Sequence, residues 1–139
     1  MILLDADVLI ALADDDDQLN PVAEADLEQV GQDTLFLATP VLAEACYMLP
    51  RADQRTRLWH LVNALDMRPC VVEDERSLWS EVFGWLASYA EHRPDWVDGC
   101  LAVLCGRDKR LRLWTYDKEF STLWRRPDGS KIPLAVRLR

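Results

Sequence analysis

Met1-Ile2-Leu3-Leu4-Asp5-Ala6-Asp7-Val8-Leu9-Ile10 opens the chain with an apolar run that stops at a carboxylate and resumes at once with apolar residues. A run this short and this apolar reads as a strand buried on both faces, and the residues from about Asp7 onward as a short helix. Strand followed directly by helix is the repeating unit of a parallel sheet. Asp5 is left at the join, where a lone buried carboxylate costs several kcal/mol unless it is protonated, paired or met by a cation.

The same pattern recurs outward from this stretch. Leu111-Arg112-Leu113-Trp114-Thr115-Tyr116 is a second apolar run closed by an acid, Asp117. Glu44 lies inside Val41-Leu42-Ala43-Glu44-Ala45, and Asp98 inside Trp96-Val97-Asp98-Gly99-Cys100-Leu101. Strands are expected over 2–5, 35–38, 68–72, 111–115 and, more weakly, 132–137. Asn20 before Pro21 predicts an N-cap and a first-turn proline for a helix over 21–30 that Gly31 stops. Thr39-Pro40 repeats that start signal after the second strand, Pro50 ends the helix it opens, and another helix is expected over 52–65.

The segment 73–91 places Leu78, Val82, Trp85, Leu86 and Tyr89 on one helical stripe that reads as core. The helix opened by Pro94-Asp95 is apolar on nearly every side and is expected to pack centrally. Helices thus alternate with parallel strands, so the expected fold class is α/β: one domain over 1–139, with a mainly parallel central sheet of four to five strands covered on both faces.

A chain of 139 residues that is half hydrophobic and 29% charged has the composition of an ordinary globular domain. No signal-peptide pattern and no apolar run of the roughly 18 residues a membrane span needs is visible, so a cytoplasmic protein without membrane partners is expected. Cys46, Cys70, Cys100 and Cys105 lack paired metal-ligand spacing and read as reduced core residues rather than a zinc site.

The net charge of −8 is unevenly spread: residues 1–105 carry −14 and residues 106–139 carry +6. Arg107, Lys109, Arg110, Arg112, Arg125, Arg126, Lys131, Arg137 and Arg139 could form a phosphate-attracting rim, or a solvated face that offsets the acidic half. The run Asp14-Asp15-Asp16-Asp17 reads as a solvated loop.

In an open parallel sheet, ligands gather beyond the carboxyl ends of the strands where the strand order reverses. Asp5 and Asp117 end strands there, and Glu44 and Asp98 lie early in helices that border that edge. Hard oxygen ligands in this number suit Mg²⁺ or Mn²⁺, which activates water and stabilises charge on a transferring phosphoryl group.

Taken together, Leu3-Leu4-Asp5-Ala6-Asp7-Val8-Leu9-Ile10, Val41-Leu42-Ala43-Glu44, Asp95-Trp96-Val97-Asp98-Gly99-Cys100-Leu101-Ala102 and Thr115-Tyr116-Asp117-Lys118-Glu119-Phe120 resemble, in order and spacing, the four motifs of PIN domains. The compact length is most similar to VapC-type toxins of bacterial toxin–antitoxin pairs. The resemblance implies a three-layer α/β/α sandwich and a Mg²⁺- or Mn²⁺-dependent endoribonuclease, usually a homodimer, that cuts RNA with a metal-activated water and is restrained by a cognate antitoxin. By motif, Asp5 and Asp98 would be the main metal ligands, Glu44 would complete the cluster and orient water, and Asp117 would bind metal directly or through water. Thr115 matches a hydroxyl residue common two places before the last acid, and Asp95 an acid one turn before Asp98.

Two positions depart from the family pattern. Asp7 stands where a small polar residue is common, and could recruit a second metal or cap the first helix, with capping preferred. Gly99 stands where alanine is usual.

Two rival readings exist. The first motif also resembles that of haloacid-dehalogenase-like phosphatases, with Asp5 as nucleophile and Asp7 as general acid/base, although no convincing last motif follows. A catalytically inactive PIN-like binding module is the other. Of the six tryptophans, Trp59, Trp79, Trp85 and Trp96 are expected in the core, and Trp114 and Trp124 as the better candidates for stacking or contact.

Overall fold

The structure, a computed structural model, describes residues 1–138; Arg139 lies outside the described residues. Four strands, β1 (Ile2–Leu4), β2 (Leu35–Leu37), β3 (Arg68–Pro69) and β4 (Arg112–Trp114), form one sheet in the order β3-β2-β1-β4. Every pairing is parallel, with Leu3 opposite Phe36 on one side and Leu113 on the other. β1 and β2 are joined by α1 (Ala6–Ala13) and α2 (Asn20–Val30), and β2 and β3 by α3 (Thr39–Met48) and α4 (Ala52–Ala64). α5 (Glu75–Ser88) and α6 (Trp96–Arg107) then cross back to β4, and α7 (Glu119–Thr122) follows it.

Right-handed crossovers running in opposite directions along a sheet put their helices on opposite faces. Accordingly α1 packs on α2, α3 and α4, while α5 packs on α6 and α6 on β4. This is a PIN-like α/β/α sandwich. The strand order turns between β1 and β4, so the carboxyl ends of these two strands flank the crevice where such sheets bind ligands. β1 is wholly buried, as its unbroken apolar run requires, and α6 is buried from Val97 to Cys105 except at Asp98.

Several element boundaries differ from those read in the sequence. The expected fifth strand is a single parallel bridge between Leu113 and Leu134, with Leu113 N–H donating to Pro133 and Ala135 N–H to Leu113, both at 2.8 Å. Pro133 has no N–H with which to extend it. β3 ends at Pro69, although the Cys70 N–H still donates to the Leu37 carbonyl at 2.8 Å, and Val71 beyond it is exposed. Asn20 is not a cap; its Nδ2 donates to the Ala11 carbonyl at 2.8 Å and ties α2 to α1. α3 is likewise capped by no side chain, since Thr39 already lies within the helix.

The core holds Leu78, Val82 and Trp85, with Leu86 and Tyr89 packed against it, as the stripe predicts. The tryptophans divide differently from expectation. Trp114 and Trp124 are buried, Trp124 inside an aromatic cluster with Trp85 and Tyr89, and are unavailable for stacking on a base. Trp59 and Trp79 are exposed instead. Each follows a buried leucine, Leu58 or Leu78, and one residue turns a helix by about 100°, which carries the ring off the core face.

All four cysteines are free; Cys100 and Cys105 are buried, whereas Cys46 and Cys70 are only half-buried. Burial pushes the Cys100 and Cys105 thiols up to about 12, the state of inert packing residues.

Candidate acidic active site

Asp5 leaves β1 in extended conformation and its Oδ1 accepts the N–H of Ala6 at 2.7 Å, so Asp5, not Asp7, caps α1. Its Oδ2 accepts the hydroxyl of Thr115 at 2.7 Å, and the same Oγ1 accepts the N–H of Asp117 at 3.1 Å. Thr115, 1% exposed, is therefore the pin between the ends of β1 and β4. Asp7 sits one place into α1, where its Oδ2 accepts the N–H of Tyr116 at 3.0 Å. Asp7 thus ties α1 to the same turn rather than capping the helix.

Asp95 caps α6. Its Oδ1 accepts the N–H of Asp98 at 2.8 Å and Asp98 Oδ2 accepts the N–H of Asp95 at 3.1 Å. A capping box built from two acids places two negative charges on one helix N-terminus, whose partial positive charge tolerates them. Asp117 Oδ1 accepts the N–H of Glu119 at 2.9 Å, and Glu44 is half-buried on α3.

The electrostatics show which acids face one another. Burial pushes Asp5 up to about 6 against the bonds from Thr115 and Ala6, and the charges of Asp117 and Asp95 add to it. Asp7 is pushed up to about 7, first by burial and then by Asp5. Asp98 also reaches about 7, through burial and the charges of Asp95, Asp5 and Asp117. Glu44 is raised by burial, then by Asp95 and Asp5. The charges of these six carboxylates therefore reach one another, and among the described residues none of them is in an ion pair with Lys, Arg or His.

In chemistry the donor set fits a hard divalent cation: carboxylate oxygens only, one of which, Asp7 Oδ1, is buried without a hydrogen-bond partner. In position, among the described residues no three His, Cys, Asp or Glu side chains are already gathered around one point as metal ligands. The reason is local: oxygens of Asp5, Asp98 and Asp117 are engaged by backbone N–H groups or by Thr115.

The basic residues are not brought to this crevice by any ion pair. Arg107 pairs with Glu81 at 3.0 Å, Lys109 with Asp128 at 2.6 Å, Arg110 with Asp108 at 2.9 Å and Arg112 with Asp33 at 3.1 Å. These four belong to the end of α6 and the start of β4, at the opposite edge of the sheet. Arg125 and Arg126 lie beside α5, where Arg125 N–H donates to the Tyr89 hydroxyl and its carbonyl accepts from Trp85. Lys131 faces Arg125 across a bridge. A cavity of about 590 Å³ between β2, α5 and the end of α6 is lined by none of the six acids.

One part of the site was not legible in the sequence. Trp114 Nε1 donates to the Tyr116 hydroxyl at 3.0 Å, and that hydroxyl donates to Asp26 on α2 at 2.8 Å. Asp26 is 2% exposed, yet α2 offers no pattern that marks it.

No family model matches the chain, and no curated protein matches it significantly. Among solved structures it is similar to Mycobacterium tuberculosis VapC20, described as a toxin that cleaves the sarcin–ricin loop, with a TM-score of 0.69 and 21% identity over 87% of this chain and 93% of that one. Neither the phosphatase nor the inactive-module reading gains support from this likeness. What the two chains share is the architecture, and this protein has the PIN-like α/β/α fold of VapC20.

Proposed function

We propose that this protein is a Mg²⁺- or Mn²⁺-dependent endoribonuclease and the toxin of a type II toxin–antitoxin pair. The observation that carries the reading is the convergence of six carboxylates, without a basic partner among the described residues, at the strand-order reversal of a fold shared with an RNA-cleaving toxin. Burial and mutual repulsion hold three of them toward the protonated form near neutral pH, and a bound cation would favour their ionised form.

In this reading Asp5, Asp98 and Asp117 hold the ion and Glu44 orients water, while Asp7, Asp95 and Thr115 support them. When bound, the ion supplies a water of lowered pKa and stabilises charge on the phosphoryl group. Thr115 keeps Asp5 and Asp117 side by side, and the α6 N-terminus favours the ionised form of Asp98. Ionisation of the acids on loading releases protons, so affinity for the ion rises with pH. The partners are RNA, a cognate antitoxin and a second copy of the chain, and the site of action is the cytoplasm.

Purified protein is expected to cut RNA in Mn²⁺ or Mg²⁺ and to lose activity in chelator. A hairpin of sarcin–ricin sequence is a suitable first substrate beside tRNA and mRNA. Asp5→Asn and Asp98→Asn are each expected to lower the rate by about 10²-fold or more, since each removes a charged ligand. Expression of the wild type is expected to slow growth and that of Asp98→Asn is not. Metal-independent cleavage, or full activity in both variants, rejects the proposal.

A further inference from the structure

We infer that Tyr116 and Asp26 are positioning residues of the acidic site, acting through the backbone rather than by touching substrate. The inference extends the nuclease reading given above, on which its functional meaning rests. The turn after β4 supplies two contacts to the acids: the Thr115 hydroxyl to Asp5 at 2.7 Å and the Tyr116 N–H to Asp7 at 3.0 Å. Where this turn lies decides where both carboxylates point.

Only two residues, Thr115 and Tyr116, separate the last strand residue, Trp114, from Asp117, with Thr115 buried and Tyr116 packed against the core. The turn is also held from the far side. The Tyr116 hydroxyl accepts the indole N–H of Trp114 and donates to Asp26, so one oxygen ties the turn to β4 and to α2 together. Both anchors are stiff: Trp114 is fully buried and Asp26 nearly so. The arrangement acts as a strut from α2 to the site. Burial first, and the Asp26 carboxylate beside it, push the phenol above its ordinary range, so Tyr116 remains a donor throughout the working pH range.

Tyr116→Phe tests the strut, because it keeps the ring and the backbone N–H and removes only the shared oxygen. Amide hydrogen exchange in the metal-free protein reads the result without reference to catalysis. Protection of the residue 116 and 117 amides is expected to fall by about tenfold while that of the β1 and β2 amides changes by less than about threefold. Asp26→Leu is expected to do the same, and Asp26→Asn, which keeps an acceptor oxygen, to lose less. A uniform loss across all amides, or none at 116 and 117, overturns the inference. Mn²⁺ titration of the same folded variants gives the functional arm, with affinity expected to drop by about fivefold or more. Absence of Mn²⁺ binding in the wild type sinks the nuclease reading alone, since the exchange result still decides the strut.

Discussion

Thr115 shows how much of the site hangs on one hydroxyl. It donates to a carboxylate 110 residues earlier and accepts an N–H two residues later, so both of its hydrogen-bonding capacities are used within the crevice. Thr115→Val keeps the shape and removes both bonds, leaving Asp5 Oδ2 and the Asp117 N–H without them. The cost is expected to be about 1–3 kcal/mol in chemical denaturation. Because the Thr115 bond lowers the Asp5 pKa, its loss moves Asp5 further upward, and the pH profile of RNA cleavage is expected to shift toward alkaline pH. An unchanged denaturation midpoint together with an unmoved profile counts against this role. Asp7 is the residue for which local rules gave the wrong partner. A capping aspartate was expected, but Asp5 is the residue whose extended backbone precedes the helix, and Asp7 reaches across to β4.

Among the elements, α6 does most to place the chemistry. Its N-terminus carries Asp95 and Asp98, and its body is buried against the sheet on one side and α5 on the other. Gly99, where the family pattern leads one to expect alanine, faces Val82, Trp85 and Leu86 of α5 at close range. A Cβ there would stand 2.8 Å from Val82 Cγ1 and 3.3 Å from the Trp85 ring, in a fully buried region. Alanine would gain up to about 1 kcal/mol in helix propensity, whereas overpacking against a branched, buried valine typically costs about 1–3 kcal/mol. Gly99→Ala is therefore expected to lower stability by about 1 kcal/mol, read as a fall of a few degrees in Tm. A rise in Tm would show that α5 yields freely. The pattern of apolar residues placed α5 and α6 correctly because both are long and strongly periodic, and the short edge elements proved harder to delimit. Pro133 shortened one expected strand by removing a donor from the ladder.

Over the whole molecule, the crowding of acids sets a pH dependence of stability. Asp5, Asp7 and Asp98 have folded pKa values of about 6, 7 and 7, above the roughly 3.9 of an unfolded aspartate. Between these values the folded state holds more protons than the unfolded one, so stability falls as pH rises from about 4 to about 7. The lowered carboxyls Asp53, Asp108 and Asp128 act in the opposite sense but only below about pH 4. Metal-free protein is accordingly expected to melt at a higher temperature at pH 5.5 than at pH 8, and Mn²⁺ is expected to raise the Tm more at pH 8 than at pH 5.5. Equal melting temperatures at the two pH values without metal, or a metal effect independent of pH, contradict this account. Among the described residues no helix is long and apolar enough to cross a membrane.

Apolar patterning along the chain was enough to give the α/β class, the four principal strands and the order of the helices, and it singled out the acids proposed for the site. Those features follow from apolar periodicity and from strands that end in carboxylates, both of which are local. Packing in three dimensions was needed to show that β1 and β4 are neighbours, that Thr115 and Tyr116 hold Asp5 and Asp7, and that Trp114 and Trp124 are core while Trp59 and Trp79 face outward. It also separated the basic stretch 107–112 from the acids by placing the two at opposite ends of parallel strands. These outcomes depend on contacts between residues as far as 110 positions apart, which no window of sequence contains.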